Sequence, residues 1–418
     1  MFVPFLVAGV ACSSPPRAQP SADRPRYELT IRVARTFRTV GGAVDVTFTP
    51  NRATDRLVFR LWPNNPPSLR EGVRLDVGRV TSPRGPVRVA QPNPTTLVVR
   101  LGALPAGRPV RVRVPWTLRV PAAGFDRIAR FGGGLRLGSF FPLLAWDTRR
   151  GWVTDPPARI LGESSTSPTA DFDVHVGVPR GFTAVASYGH AVRDIALAVA
   201  RFRLATGTAH LPDPVKVRVA VAPGAQASAH AFVNMAVRAL TQLSERYGPY
   251  AWPEYTIVIP PDFNRGGIEY PTLTFVGSKF FVRAVVDHET AHQWFYSLVG
   301  NDQARDPWLD ETLATWAQRR VDGLTRPPRR NLPAGVRRHV GAPMTYWTRY
   351  PHGYFYGVYD EGVNALSSLG DDDAVDCALR SYAARRAYAI AQPGDLLDEL
   401  DRVIPGAESR LRAWGIHR

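Results

Sequence analysis

The period of the hydrophobic pattern changes once along this chain of 418 residues, and that change restricts the fold more than any other feature. Tyr27–Val33 (YELTIRV), Ala43–Phe48 (AVDVTF), Arg56–Leu61 (RLVFRL), Thr96–Leu101 (TLVVRL), Val110–Val114 (VRVRV) and Asp171–Val178 (DFDVHVGV) are short runs of period two, separated by Gly, Pro and Asn clusters. Successive side chains of a strand point to opposite faces, so these runs predict an antiparallel β-sandwich or saddle. Near residue 209 the texture changes. After the strand-like Pro214–Val221 comes Ala229–Tyr247, apolar at helical spacing and closed by Gly248 and Pro249. Val282–Val299, Leu309–Val321, Gly357–Leu369 and Ala374–Ala391 carry the same period. The expectation is an α+β protein: residues 1–26 a leader and disordered linker, 27–208 a β domain, and 209–418 a mainly α domain with a short strand set at its front. No internal repeat of fixed period is visible.

The apolar fraction, 44%, is enough for sizeable cores. The formal charge of +16 invites a nucleic-acid reading. The details turn it aside: all but two of the 52 basic residues, Lys216 and Lys279, are arginines, and they are spread along the whole chain. Such a bias speaks to solubility and non-specific binding and defines no site, so no nucleic-acid partner is expected. Met1–Ala11 (MFVPFLVAGVA) is apolar, too short to span a bilayer, and ends in small residues before Cys12. The pattern resembles a bacterial lipoprotein signal, which predicts export, acylation of Cys12 and attachment to the outer face of the cell membrane; a cleaved or uncleaved secretory leader is the alternative. With two cysteines there is no disulfide framework, and Cys377 is expected to be a lone buried thiol.

The chemistry concentrates in VVDHETAHQWFYSLV, which contains His288-Glu289-Thr290-Ala291-His292. A helix turns once in about 3.6 residues, so two histidines four apart project from one face, near enough to share a metal, with Glu289 beside them. Zinc accepts imidazole nitrogens and takes three protein ligands when it keeps a position open for water. Eighteen residues after His292 stands Glu311, in PWLDETLATWAQ, where a return helix can bring its carboxylate against the two rings. Two histidines and a glutamate on an otherwise apolar helix are costly to bury unless something satisfies them, and one Zn2+ per chain does so.

HETAHQWFYSLVG and PWLDETLA at this spacing resemble the gluzincin metallopeptidases, specifically the aminopeptidase N family (peptidase family M1). Gly266-Gly267-Ile268-Glu269-Tyr270-Pro271 resembles that family's GxMEN segment, which implies that Glu269 binds the substrate's free α-amino group and that the backbone at Gly266 and Gly267 lines the substrate. Tyr359 in VYDEGVNAL resembles the family's catalytic tyrosine in YxKG, although Glu361 stands in place of the lysine; Tyr354 and Tyr356 are alternatives. Residues 162–179 (GESSTSPTADFDVHVGVP) and 229–255 (AHAFVNMAVRALTQLSERYGPYAWPEY) extend the resemblance over most of the chain. It implies a thermolysin-like catalytic domain behind the β domain. The stretch after Tyr359 is too short for the C-terminal helical domain that covers the active site of large members, so an open cleft is expected.

The resemblance implies a zinc aminopeptidase in which Glu289 is the general base, Tyr359 steadies the oxyanion, and peptides with a free N-terminus are the substrates. A gluzincin endopeptidase and a catalytically silent, surface-anchored binding protein are the alternatives. Asp287, Asp310 and Thr315 are candidates to orient the ligands. His175, His190, His210, His230, His339, His352 and His417 show no ligand spacing. Side-chain preference and oligomeric state are not encoded in spacing.

Overall fold

The structure, a computed structural model, describes residues 12, 15–122, 127–160, 166–324 and 332–418. Every period-two run is a strand: Arg26–Val33, Thr39–Phe48, Thr54–Arg60, Thr96–Leu104, Val110–Arg119 and Asp171–Gly177. In Arg26–Val33, Tyr27, Leu29, Ile31 and Val33 are buried while Arg26, Glu28 and Arg32 face solvent, as alternation requires. A five-stranded sheet runs in spatial order 171–177, 26–33, 39–48, 110–119, 74–77. Its pairs are antiparallel except one: Arg26–Val33 lies parallel to Asp171–Gly177. Direction is free here because the two strands are joined through a long excursion rather than a hairpin. A second sheet contains Thr54–Arg60 and Thr96–Leu104, and Leu29, Val46, Leu57 and Val99 from the two sheets share one core.

The second half opens on a five-stranded sheet ordered Arg203–Ala209, Val215–Val221, Glu254–Ile259, Leu273–Val276, Gly267–Tyr270. Its first strand is the segment just before residue 209, and it pairs antiparallel with Val215–Val221. Its last, Gly267–Tyr270, is an edge strand antiparallel to Leu273–Val276. The helix Ala229–Tyr247 has the predicted bounds; Ser228 caps it by accepting from the Ala231 N–H. The helical run expected over 282–299 is shorter: the helix is Val282–Ala291, and the chain then folds into tight turns, with the Ser297 N–H donating to the His292 carbonyl at 2.9 Å. Residues 292–299 are buried throughout, and a largely apolar run that is buried on every side does not distinguish helix from packed turn. Trp308–Val321 and Asp372–Arg385 are helices. Between them a single π-helical turn, Phe355–Asp360, leads into the helix Glu361–Ser367.

Two expectations about the N-terminal region are corrected. Cys377 is not a lone thiol, because it forms a disulfide with Cys12 across 365 residues of sequence, with Cα atoms 5.5 Å apart. Nor are the described residues 15–25 a free linker: the Ala18 N–H donates to the Ala384 carbonyl at 2.9 Å, the Arg17 side chain reaches the Pro249 carbonyl, and Arg24 pairs with Asp171 at 2.8 Å. Polar, Pro-rich composition left these contacts invisible, because they run through backbone carbonyls and one carboxylate rather than an apolar face. Met1–Ala11, the basis of the export signal, lies outside the described residues. Among the described residues no helix is long and apolar enough to cross a membrane.

Candidate metal centre and substrate cleft

His288 and His292 project from the last turn of Val282–Ala291 and its C-cap, as the four-residue spacing demands. Glu311 stands in the first turn of Trp308–Val321, which packs against the first helix. The two Nε2 atoms are 3.1 Å apart, and Glu311 Oε2 lies 3.3 Å from each. Three donors held about 2.0–2.2 Å from a tetrahedral zinc would sit about 3.4 Å from one another, so the set fits that ion without rearrangement. His292 and Glu311 are buried and His288 is partly exposed, which leaves the centre open on one side. Burial alone would raise the Glu311 carboxyl, but its contacts with His288 and His292 outweigh that and hold it far below the usual range.

Behind the ligands, Asp310 Oδ1 is 2.7 Å from His292 Nδ1 and its other oxygen accepts from Gln303 at 3.0 Å. The Phe295 carbonyl lies 3.1 Å from the same Nδ1. Both partners favour the tautomer that leaves Nε2 free for a metal. The other two candidates for this task do not perform it. Asp287 is fully buried against Arg238 of the helix Ala229–Tyr247, and the Thr315 hydroxyl donates to the Glu311 backbone carbonyl at 2.7 Å, not to its carboxylate.

Glu289 and Glu269 converge beside the ligands, their carboxylates and His292 lying within 4.8 Å of one another. Glu269 is 5% and Glu289 4% exposed. Among the described residues, Glu269 Oε1 and Glu289 Oε2 have no hydrogen-bond partner. Burial, then mutual repulsion, drives the Glu289 carboxyl well above its ordinary value, and burial raises that of Glu269. Two orphaned carboxylate oxygens in a buried site point to a cation or a proton donor supplied by a ligand. The glycines before Glu269 have separate physical reasons. Gly266 has φ +72, a conformation L side chains rarely adopt, and a Cβ on Gly267 would lie 2.3 Å from Glu289 Cγ. The edge strand therefore lies directly against Glu289.

Of the three tyrosines, Tyr359 stacks on His288, ring centroids 5.7 Å apart and planes at 16°, and burial together with the nearby Glu311 carboxylate raises its hydroxyl well above the ordinary pKa. Tyr354 is buried behind it, 6.0 Å ring to ring. Tyr356 is 40% exposed. The π-turn that carries Tyr359 is brought close by Gly362, where a Cβ would meet Thr312 at 2.1 Å, and by the Thr312 hydroxyl donating to the Val358 carbonyl. Glu361, which stands where the motif has lysine, accepts from the Arg338 N–H at 3.2 Å. Gln293 was missed in the sequence: its amide donates to the Tyr270 carbonyl at 3.0 Å and accepts from the Thr272 N–H at 2.8 Å, tying the turn after His292 to the edge strand. No spacing rule marks such a residue.

A β-rich first half followed by a mainly helical half that brings His288, His292 and Glu311 together defines an α+β fold with a candidate metal site. Residues 232–341 match the model of the peptidase family M1 domain. The human protein named aminopeptidase RNPEPL1 is 40% identical over 201 residues, covering 40% of this chain and 27% of its own length. Rat aminopeptidase B is 38% identical over 85 residues, 19% of this chain and 13% of its own. The chain thus spans about a quarter or less of the curated relatives it matches. In fold, an M1 zinc metallopeptidase from Deinococcus radiodurans superposes with a TM-score of 0.69 over 95% of both chains at 22% identity.

Proposed function

We propose that this protein is a zinc-dependent aminopeptidase that removes N-terminal residues from peptides. The reading is carried by one observation, a convergence of side chains: three donors that could share a metal, and beside them the buried carboxylates of Glu289 and Glu269, each with an unpartnered oxygen. His288, His292 and Glu311 would hold one Zn2+, whose chemistry when bound is to lower the pKa of a water and polarise the scissile carbonyl. Glu289, with its raised affinity for protons, takes the proton of the attacking water and passes it to the leaving amine. Tyr359 donates its hydroxyl hydrogen to the oxyanion of the tetrahedral intermediate. Glu269 pairs with the substrate ammonium and so sets the first peptide bond in register with Glu289. The bare backbone at Gly266 and Gly267 gives the substrate strand room to lie along the edge.

The comparisons support this choice of reaction. Relatives are named aminopeptidases, and a variant of the Deinococcus radiodurans protein has been solved with a Tyr-Ser-Ala substrate. The remaining finer assignments are ours as well: a β domain over 27–208, a catalytic domain over 209–418, and export. A disulfide between Cys12 and Cys377 suits an oxidising compartment. A thioether-linked lipid at Cys12 would need the same sulfur atom, so anchor and disulfide are alternative fates of one residue.

The test is hydrolysis of an aminoacyl-peptide and its N-acetylated twin by the zinc-loaded protein and by Glu289→Gln. The expected outcome is turnover of the free-amine peptide alone and a 10²–10⁴-fold loss in the variant at unchanged zinc content. Equal rates on both peptides would favour the endopeptidase reading, and no turnover of either the silent binding protein.

A further inference from the structure

We propose that the β domain positions the amine-binding carboxylate through one side chain, Tyr270. This rests on the assignment of Glu269 to the substrate ammonium. Glu269 and Tyr270 are consecutive residues of the edge strand Gly267–Tyr270, so their side chains leave opposite faces. Glu269 turns to the metal centre. Tyr270 turns the other way, into the seam with the β domain, and is fully buried.

There the hydroxyl of Tyr270 stands in a chain of polar contacts with residues from the first half of the sequence. Arg127 Nη1 donates to it at 3.2 Å, Ser139 Oγ lies 3.5 Å away, and Ser139 in turn donates to Asp194 Oδ2 at 2.6 Å. With Ser139 committed as donor to Asp194, the Tyr270 hydroxyl donates to Ser139 and accepts from Arg127, so the relay has one direction throughout. The Arg127 guanidinium also sits over two rings, 4.8 Å from Trp62 and 5.9 Å from Tyr270. Space for the hydroxyl comes from Gly138: a Cβ there would lie 2.1 Å from Tyr270 Oη. Apolar packing continues the seam, with Val185, Ala196 and Ala198 of the β region in one buried cluster with Ile268, Tyr270, Leu273 and Phe275.

The strand is thus held at one residue from two sides. The Tyr270 carbonyl is fixed to Gln293, next to His292, and the Tyr270 side chain is fixed to the β domain. An edge strand is hydrogen bonded on one side only, so its depth and tilt relative to the metal helix are not set by the ladder alone. Tyr270 sets them, and with them the distance between the Glu269 carboxylate and the metal ligands. Tyr270 is accordingly a positioning residue for amine recognition. It touches neither substrate nor metal.

The experiment compares Tyr270→Phe, Ser139→Ala, Gly138→Ala and Glu269→Gln with wild type, in the full zinc-loaded chain. Zinc content, kcat and KM are measured on an aminoacyl reporter. Tyr270→Phe removes only the hydroxyl, and the loss of about one hydrogen bond's net contribution corresponds to a KM raised about fivefold. kcat per bound zinc should stay within about twofold and zinc content should be unchanged. Gly138→Ala, which forces the ring to move, should exceed that rise, and Ser139→Ala should resemble Tyr270→Phe. A fall in zinc uptake or kcat parallel to the change in KM would make Tyr270 a general structural residue and overturn the proposal. If Glu269→Gln raises KM while Tyr270→Phe and Ser139→Ala leave it alone, positioning fails and the role of Glu269 stands. If Glu269→Gln itself leaves KM alone, the amine-binding assignment fails first.

Discussion

Replacing Asp310 by Asn tests whether the buried carboxylate behind His292 tunes the metal centre. Asp310 Oδ1 lies 2.7 Å from His292 Nδ1, and the other oxygen accepts from Gln303 at 3.0 Å. An amide keeps the shape and loses one acceptor. Whichever way it turns, its NH2 group meets a donor, either the His292 N–H or the Gln303 amide. Removing a partner of this kind costs about 10–100-fold in metal affinity. The lower half of that range is expected, because the Phe295 carbonyl, 3.1 Å from the same nitrogen, still holds the ring and its tautomer. The expected loss is therefore about tenfold to thirtyfold, or about 1.4–2 kcal/mol. Competition with a chromophoric chelator at fixed pH reads the zinc dissociation constant, and turnover at saturating zinc reads the rest. Turnover per bound zinc should be nearly unchanged, since Asp310 touches no reacting group. Unaltered zinc affinity would refute the reasoning, and so would lost turnover at full zinc occupancy.

Tyr359→Phe should lower kcat by about 10²–10³ with little change in KM, whereas Tyr356→Phe should leave both within about twofold; equal effects would remove Tyr359 from the oxyanion role. Zinc affinity should weaken in acid. In the metal-free centre burial opposes a charge on His292, but Glu269 and Asp310 outweigh it and raise its pKa well above the ordinary value. Zinc must displace that proton, so the apparent dissociation constant should rise about tenfold per pH unit of acidification while a single proton is exchanged. A pH-independent constant over pH 6–8, about two decades of proton activity, would contradict this. Cys377→Ser opens a loop of 365 residues, for which chain entropy gives an upper figure of about 6 kcal/mol. For a chain of this length that corresponds to at most about 7 °C in the melting midpoint, with kcat unchanged. An unmoved midpoint would show that the disulfide does not stabilise the fold.

The convergence of His288, His292 and Glu311 was legible because its geometry is local. Four residues along a helix fix the relation of His288 to His292, and the return helix that carries Glu311 follows at short range, so spacing alone nearly determines the site. The β region was legible for a similar reason: alternation reports which face of a strand is buried, whatever its partner. Legibility falls as partners become distant in sequence. Asp310, Asp287 and Thr315 are indistinguishable as neighbours of the motif, yet only Asp310 meets a ligand, because helix rotation turns Asp287 to Arg238 and Thr315 back upon its own helix. The parallel pairing of Arg26–Val33 with Asp171–Gly177 and the bond between Cys12 and Cys377 both join the beginning of the chain to places far along it. Neither leaves a periodic trace, since a parallel strand alternates like an antiparallel one and a cysteine that packs looks like a cysteine that bonds. The same limit hid Tyr270, whose one hydroxyl is met by Arg127 and Ser139, more than a hundred residues earlier. On the proposed reading the motif supplies the reacting groups, and the spacing between the candidate metal ligands and Glu269 is set where the two halves of the chain meet.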